Sequence, residues 1–180
     1  MYLNKIKLFL VISVCLIFFF LTYFDVKSQE VKIVSGTAII SDGDTIKINN
    51  EKIRLAGIDA PEIKQKCYSY LLEREFPCGM FSKDMLMTIT STSKVTCFYT
   101  EKDRYKRILG TCYMGDLNSV AVIKKVKEAN INRLMVRLGQ AVAYRKYSNE
   151  YITDEEYAKK NLNGIWKGKF EMPWDWRKKN

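Results

Sequence analysis

Short β-branched segments broken by turn residues constrain this chain more than any other feature. Val31 to Ile40 alternates loosely and is rich in Val, Ile and Thr, and Thr45-Ile-Lys-Ile48 alternates again. Asn49-Asn50 then turns the chain and Glu51 to Leu55 resumes the pattern. Strands this short cannot stand alone, so they have to pair with neighbours. The spacing predicts a strand, a sharp bend at Asp42-Gly43, a second strand, a tight Asn-Asn turn and a third strand. Lys94 to Tyr99 and Arg107 to Tyr113 predict a second hairpin, with its charged loop centred near Arg104.

Helical signals fall between and after these strands. Gly79 to Ile89 follows Pro77 and sets Met80, Phe81, Met85 and Ile89 at helical spacing. Val120 to Leu138 has an apolar recurrence ending at Gly139, with the stretch around Asn130 to Asn132 open to strand or loop. Asp154 is placed to cap a helix running to Asn163, which Gly164 ends. Trp166, Trp174 and Trp176 mark an aromatic, basic tail that packs on the domain. Five short strands in meander order with interspersed helices predict a small α+β domain around a partly open barrel of the OB class.

The 180 residues suffice for one such domain plus an appendage. A net charge of +10 attracts polyanions, which makes nucleic acid or an anionic membrane the natural partner class. The chain has no histidine, so the commonest general base and the commonest nitrogen ligand are both excluded. Catalysis has to use carboxylates, Arg, Lys, Tyr, Ser or Cys, and oxygen-ligand chemistry with a hard cation stays open.

Lys5 and Lys7 precede an apolar run from Leu8 to Phe24, which breaks at Asp25-Val26-Lys27-Ser28-Gln29. Residues 1–28 therefore read as a cleaved signal peptide, with Val26 and Ser28 flanking Lys27 at the processing site, or as a membrane anchor through 8–24. Both place the domain at 29–180 outside the cytoplasm, secreted, periplasmic or held at the membrane. Cys15 lies within the run as a small hydrophobe. Cys67, Cys78, Cys97 and Cys112 form an even set, which in an exported domain reads as two disulfides with three possible connectivities. Proximity favours Cys67 with Cys78 and Cys97 with Cys112, and the second hairpin sets the latter two opposite each other. Zinc is the weaker alternative, because there is no CxxC pair and no histidine.

Two acidic motifs carry the chemistry: Asp42-Gly-Asp44-Thr45 and Asp59-Ala-Pro-Glu62. They lie near the ends of a strand pair, so a barrel brings them to one rim. Two or three carboxylates with a backbone carbonyl suit a hard divalent cation. Either motif alone also fits an ordinary turn or a loop ending in a solvated acid. Pro61 fixes the backbone between two acids, so that one holds a metal while the other faces an attacking water. Arg54 and Arg107 are candidates to clamp a phosphate, a role worth about a thousandfold in phosphoryl chemistry. A lone arginine equally pairs with a nearby acid. Tyr105 and Tyr144 suit phosphate hydrogen bonding or stacking on a base, or the core.

Quoted as they stand, SDGDTIKI, IRLAGIDAPE, DRYKR, INRLMVRLGQAVAY and GIWKGKF together resemble the thermonuclease family of staphylococcal-nuclease-like domains, over nearly all of the chain after residue 31. The resemblance implies a five-stranded OB-fold β-barrel with about three helices, a calcium ion, and cleavage of DNA or RNA to 3′-phosphate ends by a monomer. It implies Asp44 and Asp59 as side-chain calcium ligands, with the Ala60 carbonyl as a third, and Glu62 as the carboxylate that activates or orients water. Arg54 and Arg107 match the phosphate-binding arginines, and Tyr105 and Tyr144 match substrate-side tyrosines. Cys67 and Cys78 resemble the pair that flanks the loop after DAPE in exported bacterial members. This chain departs from the family at Tyr105-Lys106-Arg107, where Tyr-Gly-Arg is usual, and in about ten extra residues between Asn118 and Asn132. A non-catalytic OB module binding nucleic acid or another polyanion is the competing expectation, and loss of Asp44, Asp59, Glu62, Arg54 or Arg107 would mark it. All five are present. A membrane-tethered structural protein is a third, resting on the N-terminal run alone.

Overall fold

In the computed structural model, which describes residues 30–118 and 127–180, the β-branched segments form the strands their alternation predicts. The apolar run at 8–24, the expected processing site and most of the extra segment lie outside the described residues. The long first strand divides into β1 (Lys32–Gly36) and β2 (Ile39–Ile40), followed by β3 (Thr45–Ile48), β4 (Glu51–Leu55) and the short β5 (Ile58–Asp59). In β3, Ile46 and Ile48 point to the core while Lys47 faces solvent, and in β4 Ile53 and Leu55 are fully buried. Burying each such side chain contributes about 1.5–3 kcal/mol, so a one-residue slip of register is strongly disfavoured.

A stapled hairpin, β6 (Cys67–Ser69) and β7 (Arg74–Phe76), leads into α1 (Cys78–Thr90), and the predicted second hairpin is β8 (Val95–Tyr99) and β9 (Ile108–Met114). The main sheet runs β1-β8-β9-β4-β3-β2 and curls into a half-barrel of the OB class. The strands do not follow a simple meander. β2-β3-β4 and β8-β9 do, but β4 pairs with β9 in parallel, with Ile53 opposite Ile108, and β1 closes on β8. Cys97 faces Cys112 across β8 and β9 and is disulfide-bonded to it, and a second disulfide joins Cys67 to Cys78.

Three further α-helices occur among the described residues: α2 (Ile131–Arg137), α3 (Ile152–Lys160) and α4 (Pro173–Lys179). Asn130 makes an isolated antiparallel bridge with Tyr113, and its side chain accepts from the Arg133 amide at 2.9 Å and caps α2. Asn132 is fully buried, accepts from the Cys112 amide and donates to the Ala56 and Gly110 carbonyls, lashing α2 to the β4–β9 junction. Asp154 is not the cap of α3, which begins two residues earlier at Ile152. Its buried carboxylate instead accepts from Arg133 at 3.0 Å and Arg137 at 3.2 Å, an interhelix use that outweighs local capping. A second core of Cys67, Cys78, Val142 and Ile165, with Phe76, Trp166, Phe170, Met172 and Trp174 against it, fixes the tail. The short strands β10 (Val142–Ala143) and β11 (Gly168–Lys169) complete this end by pairing with β5 and β6.

Candidate active site

Local chain geometry delivers the two acidic motifs to one place. The Asp42 side chain accepts from the Asp44 amide at 3.0 Å, closing the bend, and the Asp44 carbonyl accepts from the Leu55 amide across β3 and β4. Gly43 is required by packing: a Cβ there would lie 2.0 Å from Ser82 Oγ and 2.7 Å from Ala60 Cβ. A Cβ on Gly79 would fall 1.7 Å from the Glu62 carbonyl oxygen, so the start of α1 seats directly on the DAPE loop. The turn at Ala56-Gly57 reverses the chain after β4 and brings Asp59 back beside Arg54.

Arg54 is the hinge of the arrangement. From β4 its guanidinium donates through Nη1 to Asp44 Oδ1 and through Nη2 to Asp59 Oδ1, the latter at 2.6 Å. Asp44 is 3% and Asp59 0% exposed, so these are buried charges held by one shared cation. Asp44 also accepts from Thr45 Oγ1 at 3.1 Å and from the Ala60 amide at 2.9 Å. Ala60 thus meets Asp44 through its N–H, and its carbonyl is the atom that the family resemblance implies as a ligand. Burial alone would lower the Arg54 guanidinium, but Asp44 and Asp59 more than reverse this and hold it above its ordinary value. Burial raises the Asp59 carboxyl, against hydrogen bonds that act the other way. The Asp42 carboxyl is pushed up to about 6, first by burial and then by the neighbouring Asp44.

A cleft of about 960 Å³ opens over these groups and is also lined by Glu62, Tyr105, Arg107 and Tyr144. Asp59, fully buried and bonded to Arg54, does not line it. Glu62 is half-buried, with its amide on Gln65 Oε1 at 3.2 Å. Arg107 is aimed by Asp103, which accepts from Arg107 Nε and Nη2, each at 2.8 Å. The same carboxylate accepts from the Tyr105 and Arg107 amides, each at 2.9 Å, and shapes the loop. Those contacts hold Asp103 below its ordinary value despite the opposing effect of burial. Lys106, standing where the family has glycine, adopts φ 64°, the left-handed conformation glycine would take without cost. Tyr105 is 64% exposed at the cleft edge, while Tyr144 stacks on Trp174 at 5.3 Å with an interplanar angle of 6°.

One residue at the site carries no distinct signal in the sequence. Arg177 on α4 donates to both oxygens of Asp59, at 3.0 and 2.8 Å, and to Glu62 Oε1 at 2.6 Å. The local signal was only Pro173 starting a helix and basic residues ending it. The carboxylates of Asp44 and Asp59 are of the donor type a hard cation takes, and in this structure both oxygens of each already accept hydrogen bonds. Among the described residues, no three Asp, Glu, Cys or His groups close into a metal cage, so backbone oxygens and water would have to complete a coordination shell.

Buried acids bridged by an arginine, with a third acid and further guanidinium groups over one cleft at a barrel rim, define a hydrolase of the phosphodiesterase class. Residues 52–168 match the family model described as staphylococcal nuclease homologue, and the chain belongs to that family. It is 32% identical over 145 residues to an uncharacterized endonuclease of Escherichia coli, covering 77% of this chain and 80% of that protein. A micrococcal nuclease of Shigella flexneri is 32% identical over 148 residues, covering 77% of each. Succinoglycan biosynthesis protein ExoI of Rhizobium meliloti is 35% identical over 143 residues, covering 77% of this chain and 67% of that protein.

Proposed function

We propose that the protein is a calcium-dependent nuclease acting outside the cytoplasm, which hydrolyses DNA or RNA and leaves 3′-phosphate ends. The observation that carries this is Arg54 spanning two buried acids beneath a cleft that also presents Glu62 and Arg107. A calcium ion held by Asp44 and Asp59, with the Ala60 carbonyl as a further ligand, would supply positive charge beside the phosphate. Glu62 takes the proton of the attacking water or orients it, a role that a carboxylate fills without any imidazole. Arg54 and Arg107 offer planar donors to the phosphate oxygens as charge builds on them. Tyr105 and Tyr144 flank the strand, with Tyr144 held by Trp174. Water adds at phosphorus, the bond to the 5′ oxygen breaks, and the leaving oxygen takes a proton.

Export is supported by the two disulfides, which persist in oxidising compartments, and by the basic-then-apolar N-terminus. The test is digestion of single-stranded DNA and of RNA with calcium and with a chelator. Calcium-stimulated cleavage that is lost in Glu62→Ala and Arg54→Ala is expected. Cleavage indifferent to both substitutions would sink the assignment, and salt-sensitive binding without cleavage would favour a binding module.

A further inference from the structure

Arg177 belongs to a part of the chain that the family match, ending at residue 168, does not reach, yet it makes the closest polar contacts to Glu62 among the described residues. Its position is built. Gln65, fully buried, accepts from the Glu62 amide and donates to the Glu171 carbonyl at 2.7 Å, tying the DAPE loop to the segment before α4. Trp174 stacks on Tyr144 and packs in the second core, which sets the azimuth of α4 and turns Arg177 toward the acids. Burial opposes its charge, and the hydrogen bonds to Asp59 and Glu62 more than compensate.

Both oxygens of Asp59 accept from Arg177, and one accepts from Arg54 as well. A carboxylate so covered has little lone-pair capacity left for a metal ion, and a guanidinium at hydrogen-bond distance repels a cation placed on the same oxygens. One of the two arginines has to give way. Arg54 sits within the sheet, 15% exposed and anchored on both acids, whereas Arg177 is 34% exposed on a seven-residue helix and retains Glu62 as a second partner. Resting on the metal assignment made above, we propose that Arg177 is a resident cation of the site. It holds Asp59 and Glu62 in place without metal and releases Asp59 when a divalent ion binds.

The experiment is calorimetric calcium titration of the purified full-length protein, Arg177→Gln and Arg177→Lys, with melting curves of each in chelator and in saturating calcium. Arg177→Gln is expected to bind calcium about tenfold more tightly, while Arg177→Lys, which keeps the charge, stays within about threefold of the unaltered protein. In chelator Arg177→Gln melts lower, and calcium closes the gap because, at the same concentration, a more tightly bound ligand stabilises more. Equal or weaker calcium binding by Arg177→Gln overturns the exchange while leaving the metal assignment standing. No calcium binding by any of the three proteins overturns the metal assignment, and the exchange falls with it.

Discussion

Replacing Arg54 by Met keeps an unbranched apolar stem and removes the cation shared by Asp44 and Asp59. Both carboxylates are nearly or fully inaccessible to water, so neither recovers its solvation by local adjustment. Breaking a buried ion pair by deleting one partner costs roughly 3–5 kcal/mol, mostly as the penalty of the charge left behind. Asp59 keeps Arg177, and Asp44 keeps the Ala60 amide and the Thr45 hydroxyl, which places the loss at the lower end, about 3 kcal/mol. At roughly 2–4 °C per kcal/mol for a chain of this size, Arg54→Met melts about 6–12 °C below the unaltered protein in chelator. Differential scanning fluorimetry reads this directly. Added calcium narrows the gap if the two acids bind it, since an ion then replaces part of the missing charge. Cleavage falls by about a thousandfold, the scale of a positioned arginine in phosphoryl transfer. Melting within about 2 °C of the unaltered protein would refute the claim that Arg54 neutralises the buried acids, and a loss of activity below about tenfold would refute its place at the phosphate.

Other consequences are as direct. Asn132→Ala strips partners from the Cys112 amide and the Ala56 carbonyl, and denaturant titration should show a loss of about 2–4 kcal/mol with little change in the slope. Lys106→Gly relieves a left-handed residue at about 1 kcal/mol and should raise the melting temperature by about 2–4 °C; a lower one would mean that the Lys106 side chain stabilises the loop. Burial pushes the buried Glu155 carboxyl up, but hydrogen bonds from Arg145, Lys159 and the Ala143 amide outweigh it and hold the group below its ordinary 4.5. A depressed acid stabilises the fold above pH 4.5, and that contribution is lost as pH falls through the lower folded-state value. Melting curves across the acid range should therefore fall less steeply for Glu155→Gln than for the unaltered protein.

What the sequence disclosed and what it concealed divide along the range of the forces involved. Strands β3 and β4, helix α1 and the meeting of Asp44, Arg54 and Asp59 follow from alternation, turns and short separations in the chain, and were legible. The parallel pairing of β4 with β9 was not, because nothing local in Arg107 to Tyr113 distinguishes a strand added beside β4 from one more meander strand. Asp154 carried the local signature of a helix cap, yet two arginines on α2 claim its carboxylate. Arg177 was concealed most fully: it is 118 residues from Asp59, and its approach depends on Trp174 finding Tyr144 and Gln65 finding Glu171.

These long-range contacts alter how the basic charge of the chain bears on function. The formal +10 suggests guanidinium groups waiting for phosphate, but of the four arginines that line the cleft three are engaged with acids, and Arg104 donates to the Tyr105 hydroxyl at 2.7 Å. Arg54 holds Asp44 and Asp59, Arg107 holds Asp103, and Arg177 holds Asp59 and Glu62. A phosphate that reaches Arg54, Arg107 or Arg177 therefore competes with carboxylates for its donors. The contacts are not equal in this respect. Arg107 is bound to an acid that takes no part in holding a metal, so it can share its fork with a phosphate while Asp103 keeps it aimed. Arg54 stays on Asp44 and Asp59, and Arg177 is the arginine set free as another positive charge reaches Asp59. On the proposed function, metal binding and phosphate binding are thereby coupled through Arg177. Substrate affinity should rise with calcium in Glu62→Gln, where cleavage is suppressed and binding can be measured alone; affinity unchanged by calcium would break the coupling.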